Sequence, residues 1–284
     1  MATAPKKGKP KSPTMSGPPG PLAVIVTGGA RGLGRAMTVA LARSGIGVGV
    51  AELASSRPLL DELMAHAKAE GFADRILPLQ CDVTRFADCE RAVAAVIAHF
   101  GQINGVVNNA GVGMQDIGNV LVGARKKFHE VDAEAWRVAI DVNVNGPFNM
   151  AKAVAPTLVG QGWGRIVNIE TSTATMTMQG FSPYGPSKAA LEAATVIWSK
   201  DLDGTGVTVN ALAPGGAANT RMIPASEPVD RSALVQPEAM QAPIVWLMSK
   251  PSDGVNGRRI IAKEWDAARL AKTSADKIGV PAGW

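Results

Sequence analysis

Tyr184 is the only tyrosine in the chain, and Lys188 follows it by four residues. A phenol is a weak acid near neutral pH, with a pKa of about 10. Residues four apart on a helix share a face, so the ammonium would stabilise the phenolate and lower that pKa. The pair therefore predicts a proton donor and acceptor for chemistry between alcohols and carbonyls. A packed tyrosine beside a solvated lysine is the alternative that this spacing alone leaves open.

A glycine-rich stretch, residues 27–34, follows the first apolar run of the chain. It places Gly28, Gly32 and Gly34 between a predicted buried strand and an alanine-rich helical segment. Glycines permit a tight turn and let the backbone approach a pyrophosphate at a helix N-terminus, and Gly34 would allow close packing of helix and strand. The stretch predicts dinucleotide binding, with an ordinary strand-to-helix turn as the alternative.

Two charged residues bear on the choice of dinucleotide. Glu52 closes the second predicted strand, where a carboxylate can accept hydrogen bonds from the adenosine ribose and would repel a 2′-phosphate. Arg31 in the glycine-rich stretch points the other way, because a guanidinium could pair with that phosphate. A buried contact between like charges costs more than an optional ion pair gains. We therefore expect NAD(H) to be favoured over NADP(H).

Two further polar segments follow predicted strands. Asp82 and Val83 come after the third strand, where they would either border the adenine or begin the helix that follows. Residues 108–111, with the sequence Asn-Asn-Ala-Gly, end the fourth strand. Their small side chains would leave space for a cofactor while the asparagine amides tie neighbouring strands together, although the same tetrapeptide would also make an ordinary turn.

Apolar runs alternate with helical periodicity along the chain, which is typical of strands buried on both faces and connected by helices. This order predicts a single α/β domain, a doubly wound parallel sheet of about seven strands with helices on both faces, joined by right-handed crossovers. The predicted strands are residues 22–27, 48–51, 76–81, 103–107, 165–169, 207–212 and 258–262. The predicted helices are residues 35–44, 58–70, 87–100, 132–159 with a break near Pro156, 183–202 and 237–248.

The composition is that of a globular domain, with 46% hydrophobic and 19% charged residues. The sequence has no run of 18 apolar residues, so we expect no membrane span. Cys81 and Cys89 are the only cysteines, and they suggest neither a disulfide framework nor a metal site. This cysteine usage favours a reducing, cytoplasmic compartment.

Most of the net charge of +5 lies in one segment. Residues 1–21 are rich in lysine and proline and are predicted to be a disordered tail. Without the four charges of its lysines the rest of the chain is near +1 and has no basic stripe, so no nucleic-acid partner is expected. Binding of the tail to a nucleic acid or an acidic membrane is the alternative. We therefore divide the chain into this tail, a catalytic domain at 22–265 and a polar C-terminal extension at 266–284.

Together these segments resemble the short-chain dehydrogenase/reductase family, in its single-domain form with a Rossmann-like sheet. The resemblance covers roughly residues 22–265 and keeps the family's order and spacing. It implies an oxidoreductase that transfers hydride between a nicotinamide cofactor and a secondary alcohol or ketone. The residues that carry it are 27–34, Asp82, 108–111, Asn143, Thr171, Ser172, Tyr184, Lys188, Pro214 and Gly215.

The resemblance also implies a role for individual residues. Tyr184 would be the general acid and base, and Lys188 would lower its pKa and hold the nicotinamide ribose. Asn143 would position a water in a proton relay, with Asn145 as the second choice. The implied cofactor-binding residues are Gly28, Arg31, Gly32, Leu33, Gly34, Glu52, Asp82, Val83, Asn109, Ala110, Gly111, Tyr184 and Lys188, with Pro214, Gly215 and Thr220 bordering the nicotinamide.

One position departs from the family pattern. The family usually has a serine thirteen residues before the tyrosine, where its hydroxyl holds the substrate oxygen; Thr171 stands there, with Ser172 next to it. A threonine hydroxyl has the same donor and acceptor, although its methyl group stiffens the rotamer. Adjacent strand residues point to opposite faces, so we expect one of the two to serve and favour Thr171 on spacing. Glu170 is also unusual, because a small residue is expected there.

Two segments are expected to border the substrate. Residues 176–181 and 222–224 contain methionines and Phe181, which favour an adaptable apolar pocket for a small-molecule alcohol or ketone, although a core or interface role would use the same residues. The family resemblance implies a homodimer or homotetramer built partly from the helices that hold Asn143 and Lys188. The alternative function is a catalytically impaired, dinucleotide-binding regulatory or scaffold protein on the same fold, which the threonine at position 171 and Glu170 favour.

Overall fold

In the part of the chain that the structure describes, seven short apolar segments form the parallel strands of one sheet. A computed structural model describes residues 20–118, 124–224, 226–270 and 272–283. In six of the seven strands every residue is buried or half-buried, as expected where helices cover both faces. Only β3 has exposed residues. The strands are β1 (Ala23–Thr27), β2 (Gly47–Glu52), β3 (Ile76–Gln80), β4 (Gly105–Asn108), β5 (Gly164–Ile169), β6 (Val207–Ala213) and β7 (Arg258–Ile261).

The helices occupy the segments between the strands. Their apolar residues recur at helical spacing and turn toward the sheet. The α-helices are α1 (Gly32–Arg43), α2 (Arg57–Ala69), α3 (Phe86–Phe100), α4 (Ala133–Ile140), α5 (Gly146–Gly160), α6 (Thr173–Met176), α7 (Tyr184–Asp201), α8 (Gln241–Leu247) and α9 (Ala267–Leu270). None of the helices in the described ranges combines the length and the apolar character that a membrane crossing requires.

The strand order is β3-β2-β1-β4-β5-β6-β7, with β8 (Val280–Pro281) antiparallel at the edge beside β7. The chain therefore winds outward in one direction through β2 and β3 and then in the other from β4 onward. The switch falls between β1 and β4, which pair in parallel. In open sheets of this kind a crevice forms at the carboxyl ends of the strands at that point. The predicted doubly wound α/β fold is confirmed.

Two apolar layers hold the helices to the sheet. In β1, Val24 and Val26 belong to the layer under α1, α2 and α8, whereas Ala23 and Ile25 belong to the layer under α3 and α5. This alternation is the two-residue period of a strand. It fixes the register of β1, because a shift by one residue would exchange the two faces.

The long helix expected at 132–159 is interrupted, but not at Pro156. Pro156 lies inside α5, and the irregularity is a π-helical turn at Asp141–Asn145 that separates α4 from α5. A π-helical turn inserts one residue into the helical ladder, and such turns often occur at functional sites. The expected break near Pro156 was therefore wrong, and the real irregularity places Asn143.

The sequence does not predict β8, because Val280 and Pro281 are too short a run to signal a strand. Its position is fixed by contacts to β7: the Arg258 guanidinium donates to the carbonyl of Ile278 at 2.7 Å and to that of Gly279 at 2.9 Å. The C-terminal segment thus extends the sheet by one strand.

Candidate active site

The loop between β1 and α1 depends on two glycines with positive φ. Gly28 has φ +63° and Gly32 has φ +53°, a conformation that residues with a Cβ rarely adopt. Gly32 is also the first residue of α1, whose N-cap, Arg31, makes no side-chain capping bond. The first N–H groups of α1 are therefore not capped by that side chain, and a helix N-terminus of this kind favours an anion.

Close contacts fix this loop against the end of β4. A Cβ on Gly34 would lie 2.1 Å from the Gly28 carbonyl oxygen and 2.5 Å from Nδ2 of Asn109, so only glycine fits. The Asn109 amide donates to the carbonyls of Thr27 and Gly28, each at 2.9 Å. The Thr27 hydroxyl accepts the N–H groups of Asn109 and Ala110 at 3.0 and 2.9 Å. The cradle therefore fits the diphosphate of a dinucleotide, since its floor is backbone and its walls are small.

Glu52 lies at the end of β2, directly beneath the glycine loop. Its side chain is buried, and Oε1 accepts the N–H of Ala30 at 2.9 Å. Burial and the charge of Arg221 lower the pKa of the Arg31 guanidinium, and the Glu52 carboxylate opposes that shift. Two carboxylates, Glu52 and Asp116, therefore share this end of the crevice with two guanidiniums, and sequence reasoning found neither Asp116 nor Arg221.

Asp82 shapes the turn that precedes α3. Its Oδ1 accepts both the N–H and the hydroxyl of Thr84, at 3.0 and 2.8 Å. The N-cap of α3 is Arg85 rather than Asp82, so the helix-cap alternative is wrong by three residues. Val83 is buried against the start of α5, where a Cβ on Gly146 would lie 2.7 Å from its Cγ2.

Asn143 joins the loop after β4 to α7. It is fully buried; its Oδ1 accepts the Val112 N–H at 2.9 Å, and its Nδ2 donates to the Val112 carbonyl and to the Ser187 hydroxyl, each at 3.0 Å. Gly111 leaves room for this amide, because a Cβ there would lie 3.1 Å from Oδ1. Asn145 is exposed and bonds Asp141 at 2.9 Å. The structure therefore brings Asn143 to α7 and leaves Asn145 at the surface.

Tyr184 begins α7, and Lys188 lies one turn further on the same face. The Thr171 side chain lies close enough to the Tyr184 hydroxyl to act in the direction that lowers the pKa of the phenol. The Lys188 ammonium is buried and donates to the Ile169 carbonyl at 2.8 Å. Three of the predicted catalytic residues thus meet at the carboxyl end of β5.

The pKa of Tyr184 differs from the sequence prediction. Burial and the charge of Glu170 raise it to about 12, and only the Thr171 hydrogen bond lowers it. Lys188 is not among the groups that shift this pKa; its ammonium donates to the Ile169 carbonyl and interacts with the Glu170 carboxylate.

Ser172 has a different environment from Thr171. It is the N-cap of α6, where its Oγ accepts the Thr175 N–H at 3.1 Å and lies 2.8 Å from the Thr175 hydroxyl. Capping commits this hydroxyl to local structure. Thr171 is therefore the hydroxyl that faces Tyr184.

The segment after β6 returns to the glycine loop. The carbonyl of Pro214 accepts the Lys263 N–H at 3.1 Å, and Gly215 has φ +93°. The Thr220 methyl group would lie 3.3 Å from a Cβ on Gly32. The segment that holds Thr220 therefore adjoins the glycine loop, and Leu33 is half-buried between that loop and the core.

Two residues that organise the site were not found from the sequence. Ser187 receives the Asn143 amide, and its hydroxyl donates to the Tyr184 carbonyl at 2.7 Å. Asn168 accepts from Asn108 at 2.9 Å and donates to Thr195 at 2.8 Å, which ties β4 to β5 and α7. Ser187 could have been found from the sequence, because it directly precedes Lys188.

A doubly wound sheet with a glycine cradle at its switch point, as found in this chain, is typical of nucleotide-dependent oxidoreductases. Comparison with known proteins identifies the family within that class. The chain belongs to the short-chain dehydrogenase family, whose model matches residues 22–229. It is thus an NAD(P)-dependent oxidoreductase, of a family that binds nicotinamide cofactors.

Several relatives match over most of their length. A 3-oxoacyl-acyl-carrier-protein reductase of Thermotoga maritima is 30% identical over 244 residues, which are 83% of this chain and 94% of the relative. An acetoacetyl-CoA reductase of Shinella zoogloeoides is 30% identical over 249 residues, 84% of this chain and 95% of the relative.

Solved structures agree in fold. A putative short chain dehydrogenase from Pseudomonas syringae superposes with a TM-score of 0.74 at 26% identity, over 85% of this chain and 94% of that one. A gluconate 5-dehydrogenase from Burkholderia cenocepacia, solved with NADP and tartrate, gives a TM-score of 0.73 at 24% identity over 89% of this chain and 96% of its own, a likeness of fold alone.

Proposed function

We propose that the chain interconverts a secondary alcohol and a ketone, with Tyr184 as the general acid and base. The observation that carries this proposal is the meeting of Thr171 and Tyr184 at the carboxyl end of β5, where Lys188, one turn further along α7, donates to the Ile169 carbonyl at 2.8 Å. Two hydroxyls in contact can hold one substrate oxygen and exchange a proton with it.

The roles follow from the positions of the side chains. Thr171 orients the substrate oxygen, and Tyr184 donates a proton to the developing alkoxide or removes the proton of the alcohol. Lys188 supplies positive charge beside the phenol, and Asn143 holds the first turn of α7 through Ser187. A nicotinamide cofactor, when bound, supplies the hydride chemistry.

The cofactor would lie across the switch point between β1 and β4. Its diphosphate would rest on the glycine loop and its adenosine near Asp82, with Thr220 and the residues after β6 beside the nicotinamide. Glu52 supports NAD(H), since its carboxylate stands where a 2′-phosphate would bring a like charge. Arg31 and Arg221 support NADP(H), but we favour NAD(H) because Glu52 is the buried member of the three.

The substrate is proposed to be apolar. A cavity of about 480 Å³ has Met176, Met178, Phe181 and Phe128 in its lining, beside polar residues that include Lys127, His129 and Gln179. Phe181 also meets the Tyr184 ring edge to face, with centroids 6.4 Å apart. Methionine and aromatic side chains adapt to varied apolar ligands, which supports a hydrophobic ketone or alcohol.

A homo-oligomer is proposed from the outer helices. Trp136 on α4, Phe148 on α5 and Ile197 on α7 are 44%, 47% and 56% exposed. Large apolar side chains at the surface are typical of subunit contacts. These helices hold the site, so a dimer or tetramer formed through them would also stabilise it.

A regulatory or scaffold function is the second candidate. It is favoured by the pKa of Tyr184, which burial and Glu170 raise to about 12, because a phenol with that pKa is almost wholly protonated near neutral pH and cannot accept a proton from an alcohol. The enzyme is favoured because the proposed catalytic residues all lie at one site. These residues are Thr171, Tyr184, Lys188 and Asn143.

A panel of alcohols and ketones, assayed separately with NAD(H) and NADP(H), tests the proposal. Turnover that depends on Tyr184 and is faster with NAD(H) is expected. Saturable dinucleotide binding without turnover of any member of the panel would favour the regulatory candidate instead.

A further inference from the structure

Glu170 is a buried carboxyl group directly beside the proposed catalytic residues. It is 3% exposed, and neither carboxyl oxygen accepts a hydrogen bond from the residues that the structure describes. The backbone at this position is fixed, because the Glu170 N–H donates to the Leu212 carbonyl at 3.0 Å. A buried carboxylate without partners is costly, so its surroundings must decide its charge.

Charged and titratable groups face Glu170 from two elements. α7 presents Tyr184, Lys188 and Glu192 at four-residue intervals on one face, and β7 presents Arg259. Arg259 is paired with Glu192 through Nη2–Oε2 at 2.9 Å and Nε–Oε1 at 3.1 Å. The Gly283 N–H donates to that same carboxylate at 2.7 Å.

This pairing leaves Lys188 as the cation whose counter-charge is Glu170. Lys188 donates to a neutral carbonyl, that of Ile169, and the Glu170 carboxylate opposes the lowering of its pKa by burial. The same carboxylate raises the pKa of Tyr184. Glu170 therefore acts on both members of the pair in the direction that keeps their protons in place.

The charge of Glu170 changes in an accessible pH range. Burial and the nearby Glu192 raise its pKa to about 8, opposed by Lys188, Arg259 and the Thr171 N–H. The group is therefore mostly neutral at pH 7 and mostly ionised at pH 9. Few protein carboxyls change charge there.

We propose that Glu170 is a positioning residue that sets the acid strength of Tyr184, masking the Lys188 ammonium when ionised and unmasking it when protonated. The masked state keeps Tyr184 protonated, and so favours proton donation to a carbonyl over proton removal from an alcohol. This inference rests on the proposed role of Tyr184 and names what regulates it.

The single tyrosine of the chain allows a direct test without substrate or cofactor. With tyrosine labelled at the ring carbon that bears the hydroxyl, Tyr184 gives one carbon resonance, whose shift reports ionisation of the phenol. In Glu170→Gln this resonance should titrate at least one pH unit lower than in the unaltered protein, a tenfold or greater rise in phenolate at a given pH. An unchanged titration in the folded variant would overturn the proposal.

A double variant separates masking from direct repulsion. Adding Lys188→Met to Glu170→Gln should return the titration toward that of the unaltered protein, because no ammonium is left to unmask. A titration that stays low in the double variant would overturn the masking mechanism. Glu170→Asp keeps the charge and should move the resonance less than Glu170→Gln, and Glu170→Ser replaces Glu170→Gln if the amide does not fold.

Asp253→Asn is the matched control. Asp253 is paired with the buried Arg165, which lies five residues before Glu170 along β5, roughly 16 Å away at the rise of a strand. Asp253→Asn removes a carboxylate that lies beside the start of β5, so it should leave the Tyr184 resonance in place. A shift as large as that of Glu170→Gln would overturn the proposal that Glu170 acts on Tyr184 locally. Because resonance and turnover are read separately, activity retained in Tyr184→Phe would refute the proposed function without altering this result.

Discussion

The Asn143 amide donates to the Ser187 hydroxyl at 3.0 Å and so joins the π-helical turn to the first turn of α7. The Ser187 hydroxyl in turn donates to the Tyr184 carbonyl at 2.7 Å. The other side of the amide holds Val112, in the loop after β4. One side chain thus sets the position of the proposed acid relative to the cofactor side of the crevice.

This relationship predicts different consequences for two neighbouring asparagines. Asn143→Ala leaves the Val112 N–H and other buried groups without partners, and it should lower the free energy of unfolding by at least about 2 kcal/mol. Asn145→Ala, at the surface, should change it by no more than about 0.5 kcal/mol. Urea denaturation of the two variants measures both, and equal losses would contradict the assignment.

Tyr184→Phe removes the proposed acid while keeping the ring that contacts Phe181. General acid–base catalysis contributes about 100-fold or more, so kcat should fall by at least about that factor while cofactor affinity is retained. Steady-state kinetics and a dinucleotide fluorescence titration check the two halves. A variant that keeps most of its turnover would refute the role of Tyr184.

Thr171 and Ser172 have different surroundings, so substitutions at the two positions should have different effects. Thr171→Val removes the hydroxyl at constant shape and should lower kcat/KM by roughly 10- to 100-fold, the loss expected for one buried hydrogen bond to a reacting group, whereas Thr171→Ser should retain activity. Ser172→Ala removes the cap of α6 and should cost about 1 kcal/mol of stability with little effect on kcat. The reverse pattern would assign the substrate hydroxyl to Ser172.

Glu52→Gln tests the choice of cofactor. The amide oxygen can still accept the Ala30 N–H, so the loop should keep its shape while the charge is lost. The ratio of kcat/KM for NADP(H) to that for NAD(H) should rise about tenfold or more, since each tenfold step is about 1.4 kcal/mol and like-charge contacts cost several. An unchanged ratio would show that Glu52 does not discriminate.

Glu170 also predicts a pH dependence of stability. Its pKa is about 8 in the folded protein against an ordinary value of 4.5, so the folded state binds more protons between these values and its stability falls as pH rises through that window. Glu170→Gln should remove this component, worth up to about 1.4 kcal/mol per pH unit, and gain stability relative to the unaltered protein from pH 5 to 8. Denaturation curves across that range measure the difference, and parallel profiles would contradict the prediction.

Local patterns were sufficient for the strands and most helices. The seven parallel strands were found because each is a short apolar run between polar segments, and that pattern is set by burial on both faces. The irregularity in the long helix was misplaced at Pro156, because a proline is visible in a sequence while a π-helical turn has no comparable residue signal. β8 was missed because its two residues are held by contacts to β7 rather than by their own pattern.

The sequence by itself determined the chemistry available to this protein: one phenol, a lysine one helical turn away, and glycines where a backbone must approach a diphosphate. These follow from residue type and short spacing, which local geometry converts directly into contacts. Only the tertiary structure decided which of two hydroxyls faces Tyr184, which of two asparagines reaches α7, and that Glu170 and Lys188 share a buried site. Those distances join residues from different elements, and they depend on sheet register and helix packing, which no local pattern encodes.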